Sequence, residues 1–245
     1  MRHEVYLQMR EVEDRHWWFT ARRRILRRVI SSLSLPDQAR VLDVGCGTGG
    51  NLKLLSRFGQ VSAMEMDDTA RNLAQARNIA DVRAGKLPDE IPFPGRHFDL
   101  IVLLDVLEHI DDDAGSLIAL KSILAPNGHV VLTVPAFPFL WSRHDDIHHH
   151  RRRYRAAGLR RVIQSVGLDV VHMTYYNMWL FPAIAMARLA QRLLPVGGKE
   201  SELKVPASLS NKLLETLFSS ERFLVTRARL PLGVSLLAVL KASVD

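Results

Sequence analysis

Residues 39–59, ARVLDVGCGTGGNLKLLSRFG, decide the fold. Val41, Leu42 and Val44 form a short apolar run that stops at a cluster of glycines, and the segment beyond has helical character. The order strand, tight turn, helix lets a ligand approach the backbone closely and offers it free N–H groups at the positive end of a helix dipole. A nucleotide-like ligand is implied. Read literally, Gly45, Gly47 and Gly50 also satisfy G-x-G-x-x-G, so this stretch alone fits a dinucleotide site as well.

Outward from that turn, strands and helices alternate. QVSAMEMD (60–67) reads as a second strand, TARNLAQARNIA (69–80) as its helix and DVRAG (81–85) as a third strand. After a proline-rich loop, FDLIVLLDV (98–106) has the continuous apolar character of a strand buried on both faces. LEHIDDDAGSLIALKSILAPNG (107–128) is expected to be a helix, placing His109 one turn into it, and HVVLTVP (129–135) a fifth strand. AFPFLWSRHDDIHHHRRRYR (136–155) has no clear period and reads as a loop over the carboxyl edge of the sheet. AAGLRRVIQSVG (156–167) is helical, LDVVHMTYY (168–176) a strand and GVSLLAVLK (233–241) a short closing strand. Upstream, Val5–Leu33 carries no Gly or Pro and reads as a single helix.

The expected architecture is α/β, a Rossmann-like doubly wound seven-stranded sheet, mostly parallel with an antiparallel last strand. One domain spans 1–245, with an N-terminal helical cap (1–35), a cofactor-binding core (36–176), a helical insertion (177–230) and the last strand (231–245).

Composition narrows the function classes. The 245 residues are 47% hydrophobic and 24% charged, which sets aside disordered, collagen-like and coiled-coil readings. Cys46 is the only cysteine, so an intramolecular disulfide framework and Cys₄ or Cys₂His₂ zinc sites are excluded. No signal peptide or spanning segment is read, and the expected location is cytoplasmic, with peripheral attachment to the inner face of the membrane open. The net charge of +7 favours anionic partners, and arginines cluster at 22–28 and 151–155.

Four stretches, VLDVGCGTGG, the acidic Glu65 ending the second strand, LPDEIPFPGRHFDLIVLLDVLEHI and LKSILAPNGHVVLTVP, resemble in order the successive motifs of class I S-adenosylmethionine-dependent methyltransferases. EDRHWWFTARRRIL (13–26) and LPLGVSLLAVLK (230–241) resemble a bacterial subgroup of these enzymes, as does the H-D…H-x-R-R-Y pattern within 140–154. The resemblance implies S-adenosyl-L-methionine as cofactor. It makes Gly45, Gly47 and Gly49 the loop beneath the methionine part, with Asp43 setting that loop and facing the cofactor's amino group. Glu65 then accepts hydrogen bonds from both ribose hydroxyls, as an acceptor-only carboxylate can, and Met66 lies against adenine. Asp105 faces the methionine end. Many members place an Asp after the third strand for the adenine amino group. Lys86 stands near that place and cannot accept such a bond, so backbone groups from Gly85 to Leu87 are expected to replace it.

Methyl transfer is an in-line displacement, so the acceptor must be aligned and, at oxygen or nitrogen, deprotonated. The segment after the fifth strand, where the resemblance implies an acceptor site, offers histidines that titrate near neutrality. His144 is the first candidate base, with Asp145 as its orienting partner, and His150 is the second. Trp18, Arg22, Trp141, Arg153 and Tyr154 are the candidate substrate-binding residues. A metal at His144, Asp145 and His148 is set aside, because adjacent loop histidines carry no fixed ligand geometry. Cys46 reads as a small filler, and His109 as structural.

The resulting reading is methyl transfer to a small-molecule or lipid-linked acceptor, at oxygen. Partners that fit are that acceptor, an anionic membrane surface met by apolar helices and arginines, and a second copy forming a homodimer. No DNA partner is expected. An RNA methyltransferase and a non-catalytic cofactor-binding module are the alternatives, and a nicotinamide-dependent oxidoreductase is disfavoured by the downstream motifs.

Overall fold

The computed structural model describes residues 3–193 and 204–243. Seven strands form one sheet in the order β3-β2-β1-β4-β5-β7-β6. They are β1 (Ala39–Val44), β2 (Gly59–Glu65), β3 (Asp81–Ala84), β4 (Phe98–Leu104), β5 (Leu124–Pro135), β6 (Leu168–Tyr176) and β7 (Ser235–Ala242). Pairings among β1 to β5 are parallel, whereas β7 runs antiparallel between β5 and β6. The closing strand is thus interior to the sheet, and its Leu236, Leu237, Ala238 and Leu240 are wholly buried.

The helices are α1 (His3–Val12), α2 (Trp17–Ile30), α3 (Leu52–Leu55), α4 (Asp68–Gln75), α5 (Asp113–Ser122), α6 (Arg143–Ile147), α7 (Ala156–Ser165), α8 (Phe181–Leu193) and α9 (Ser208–Ser220). Alternate side chains of the central strands feed two cores, as the period of a strand requires. One holds Val41, Leu100, Val102 and Leu237 beneath Ile25, Leu26, Val29 and Ile30 of α2 and Phe218 of α9. The other holds Leu42, Ile101, Leu103 and Leu132 beneath Leu117 and Leu120 of α5 and Leu159 and Ile163 of α7.

Several boundaries differ from the sequence expectation, each for a local reason. The helix expected over Val5–Leu33 is two helices, because Glu13 leaves the helical path to reach the glycine turn and the His16 ring caps α2 by accepting the Trp18 N–H. The helix expected over 107–128 is a 3-10 turn at Leu107–His109 followed by α5, whose start is set by the Asp112 carboxylate accepting the Gly115 N–H. β5 begins at Leu124, five residues early, with a register irregularity opposite Phe98 and Leu100. The segment 136–155 contains a 3-10 turn at Pro138–Leu140 and α6. The helix after the glycines is the single turn α3. Of the expected helical insertion over 177–230, the described residues hold α8 and α9, and residues 194–203 lie outside those described.

The insertion is tied back at its root. Glu221, wholly buried, accepts the backbone N–H groups of Asn177, Met178 and Trp179 at 2.7, 2.7 and 3.0 Å. α9 lies along α2, with Asn211 accepting the Trp17 N–H at 2.9 Å and Glu215 paired with Arg24 at 2.7 Å. No described helix is long and apolar enough to cross a membrane. Because Glu221→Ala strands three N–H groups that now meet a buried carboxylate, that of Asn177 buried and those of Met178 and Trp179 part-buried, it is expected to cost about 3 kcal/mol, read as a fall in the urea midpoint at unchanged m-value.

Candidate active site

In the sheet, β1 pairs with β2 on one side and β4 on the other, the reversal that opens a crevice at the carboxyl ends of an α/β sheet. Asp43, Glu65 and Asp105 belong to the ends of these three strands. Gly45, Gly47 and Gly49 have φ of +66°, +55° and +78°, which lets the chain turn sharply from β1 towards α3. A Cβ on Gly45 would lie 2.7 Å from Val106 Cγ2, whereas one on Gly47 would meet nothing within 4 Å. Gly47 therefore borders open space on the side where a ligand can approach.

Glu65 is bound into this turn. Its Oε2 accepts the Gly47 N–H and its Oε1 the Asp67 N–H, both at 2.9 Å. Burial pushes its pKa up, against those two N–H groups that pull it down. Asp43 is 1% exposed, and its Oδ2 has no hydrogen-bond partner. Burial raises its pKa to about 7, against the pull of the Arg22 charge. An unpartnered buried carboxylate oxygen beside a glycine turn is suited to a cationic group such as an α-ammonium. Met66 is 64% exposed and offers a soft apolar surface next to Glu65.

At the third strand the backbone of Lys86 pairs with Glu90. Its N–H donates to the Glu90 carbonyl at 2.9 Å and its C=O accepts the Glu90 N–H at 2.8 Å, while its side chain is exposed. Leu87 is buried, 4% exposed.

Two further acidic anchors were not read from the sequence. Glu13, 3% exposed, accepts the Thr48 hydroxyl at 2.7 Å and pairs with Arg77, so the end of α1 is latched to the glycine turn. Glu108, 0% exposed, has no hydrogen-bond partner at either carboxylate oxygen. Burial, then the nearby Asp105, pushes its pKa well up.

Arg22 is buried against Asp105 rather than open to an acceptor. Its Nη2 lies 2.7 Å from Asp105 Oδ2 and donates to Thr133 Oγ1 at 2.7 Å, and its guanidinium sits 5.0 Å from the Trp18 ring centroid. Thr133 in turn donates to Asp105 Oδ1 at 3.1 Å, and Asp105 has φ of +60°. Desolvation lowers the Arg22 pKa, and the Asp105 charge outweighs it, so the guanidinium is charged.

The segment 141–154 folds around Asp145. This carboxylate, 0% exposed, accepts two bonds from Arg153 Nη1 at 2.9 and 3.0 Å and the Ser142 N–H at 2.8 Å, and it meets His150 Nδ1 at 2.8 Å. Burial opposes its ionisation, but the His150 bond and the Arg153 charge hold its pKa well below the usual carboxylate range. Asp145 thus orients His150, and not His144 as expected from their adjacency. The His144 ring packs instead against His148, 4.2 Å between centroids. Arg153 and Tyr154, expected at the acceptor, are turned inward: Arg153 also donates to the Ala136 carbonyl, and Tyr154 donates to Asp113 Oδ2 at 2.9 Å. Trp141 Nε1 donates to Asp146 Oδ1 at 2.9 Å.

The same segment crosses to the end of β4, where the Arg151 N–H donates to the Glu108 carbonyl at 2.8 Å. This brings His150 Nε2 within 3.9 Å of Glu108 Oε1 and its ring within 4.8 Å of the His109 centroid. Burial and the His150 charge lower the His109 pKa to about 4, so its imidazole is neutral at pH 7. A glutamate and histidine just past the fourth strand were the legible signal for this cluster.

A glycine turn and buried acids at the carboxyl edge, with histidines across the crevice, define a group-transfer enzyme that binds a nucleoside-like cofactor. A family model for the methyltransferase domain matches residues 18–173, and the chain belongs to this family, the class I S-adenosylmethionine-dependent methyltransferases, with S-adenosylmethionine as cofactor. A ubiquinone biosynthesis O-methyltransferase from Xanthomonas axonopodis pv. citri is 28% identical over 182 residues, 66% of this chain and 75% of that one. A trans-aconitate 2-methyltransferase from Variovorax paradoxus is 25% identical over 206 residues, 80% of this chain and 68% of that one. Two other curated relatives are matched over 61% and 42% of their length. The fold is shared with a solved Haloferax volcanii putative methyltransferase in complex with the activator Trm112, at TM-score 0.62 and 17% identity, covering 98% and 95% of the two chains. Gly45→Ala, strained at φ and clashing with Val106, is expected to lose about 2 kcal/mol of stability, and Gly47→Ala about 1 kcal/mol, both measurable by thermal unfolding.

Proposed function

We propose that the chain methylates an oxygen of a small-molecule or lipid-linked acceptor bound at the Glu108, His109 and His150 cluster, with His150 as the group that takes the acceptor's proton. The carrying observation is the 2.8 Å contact of His150 Nδ1 with Asp145 Oδ1, which fixes the ring and leaves Nε2 directed at the cluster. The two relatives support this choice of acceptor by name, one an O-methyltransferase and the other acting on trans-aconitate. A lipid-linked acceptor is favoured by apolar side chains left in solvent on the insertion, Met186 and Leu189 on α8 and Leu209 and Leu213 on α9.

S-adenosylmethionine, when bound, supplies a methyl group on a sulfonium. The chain's own part is to hold it, exclude water and receive the proton. Asp43 meets the cofactor's amino group, and Glu65 accepts from the ribose hydroxyls with the lone pairs that Gly47 and Asp67 leave open. Met66 lies against adenine. Asp105, held by Arg22, faces the methionine end. His144 borders the acceptor beside His150. Arg22, Arg153 and Tyr154 act as positioning residues, holding Asp105, Asp145 and Asp113.

Calorimetry with S-adenosylhomocysteine, with NAD as control, is the first test, and binding of the former alone is expected. Glu65→Ala is expected to weaken that binding by about 1.5–3 kcal/mol, the range for hydrogen bonds to a charged group. An unchanged dissociation constant removes Glu65 from the ribose site. His150→Ala is expected to leave S-adenosylhomocysteine affinity intact and lower turnover by about 100-fold or more, whereas full turnover overturns its role.

The pH dependence of cofactor binding follows from Asp43. A carboxyl group with a pKa near 7 is largely protonated at pH 6 and must lose its proton to pair with an ammonium, so affinity is expected to fall as pH drops below 7. Calorimetry from pH 6 to 8 reads this directly. Asp43→Asn is expected to flatten the profile.

A further inference from the structure

We propose that Glu108, His109 and His150 form a binding site for a divalent first-row transition cation at the acceptor end of the crevice. The proposal rests on the reading of this cluster as the acceptor end, and it deepens that reading.

One ligand atom from each residue lies within 4.8 Å of the other two. A cation about 2.1 Å from each ligand spans separations up to about 4.2 Å, so small side-chain rotations complete the set. Glu108 is the independent sign that something belongs there. Its carboxylate is 0% exposed, neither oxygen has a hydrogen-bond partner, and such a group is costly unless a ligand meets it. Its backbone is fixed by the 3-10 turn and by the Arg151 N–H, so the side chain is presented from a rigid base.

The carboxylate behind His150 has the form that metal-binding histidines favour. A ligating histidine commonly gives its other ring N–H to a carboxylate, which fixes the tautomer and orients the ring. His150 does this with Asp145, and Asp145 is braced by Arg153, leaving Nε2 as the free lone pair. His109 comes from the residue after Glu108 and reaches the same point, its ring at 80° to that of His150. Glu108 and His109 are neighbours in the sequence, and His150 joins them from 41 positions further along the chain.

Donor chemistry selects the ion. Two imidazoles and one carboxylate favour Mn²⁺, Fe²⁺, Co²⁺ or Zn²⁺ over Mg²⁺ and Ca²⁺, which prefer all-oxygen sets. Three protein ligands leave coordination positions open for an acceptor with one or two oxygens. A cation there lowers the pKa of an acceptor hydroxyl; with the cation bound His150 Nε2 is a ligand and the proton passes to solvent, so His150 takes the proton only in the cation-free protein. The catecholic, enolic or carboxylate class of acceptor, able to chelate through oxygen, is the one this site would take.

The test uses the untagged full chain, stripped with a chelator and titrated with Co²⁺, followed by its visible absorption, and with Mn²⁺, followed by electron paramagnetic resonance. One equivalent is expected to bind. Glu108→Gln and His109→Ala are each expected to weaken it by at least about tenfold, while His148→Ala leaves it unchanged. His109 is only half-buried, so its variant keeps the test open if Glu108→Gln does not fold. Absence of saturable binding overturns the proposal, as does binding lost in His148→Ala and kept in Glu108→Gln. S-adenosylhomocysteine is titrated into the same stripped sample. If it binds while no cation does, the cation site is wrong and the methyl-transfer reading stands; if neither binds, both fall.

Discussion

The parallel pairing of β1 with both β2 and β4 is the constraint from which the site follows. It brings three successive strand ends to one edge and makes the chain depart from them in opposite directions. The turn after β1 must then be tight and open-faced, which only glycines with positive φ allow at Gly45 and Gly47. The insertion of β7 between β5 and β6 extends the same sheet to its far edge, so the crevice is mounted on a platform buried on both faces.

Buried carboxylates then do most of the positioning. Glu13 latches α1 to the glycine turn, Glu65 holds two backbone N–H groups around it, and Glu221 gathers three more at the root of the insertion. Asp145 organises a segment that has little regular structure of its own, through Arg153, Ser142 and His150. In each case the energetic cost of removing a charge from water is offset by several donors aimed at it. Asp43 Oδ2 and Glu108 stand apart because their donors are missing, and those are the two places where a ligand's positive charge fits the surroundings.

Much of the fold was legible because period and punctuation are local. The apolar run of 98–104, the glycines after Val44 and the alternation of strands with helices are properties of neighbouring residues, and the sheet bears them out. The break in the N-terminal helix was not legible, since it depends on where Glu13 finds Thr48 and Arg77, 35 and 64 residues away. The same reason explains Asp145. Adjacency in sequence suggested His144 as its partner, but the chain reverses at His148 and His149 and returns His150 to it.

From the sequence alone came the class of fold, the glycine turn and the acids that end β1 and β2, all set by short-range pattern and by backbone conformations open to few residue types. Which histidine is oriented, which arginines are spent on internal carboxylates, and the meeting of Glu108, His109 and His150 were decided only by tertiary structure. Those relations depend on the crossing of segments far apart in the chain, and on burial, which sets the charge and the unmet hydrogen-bonding capacity of each group.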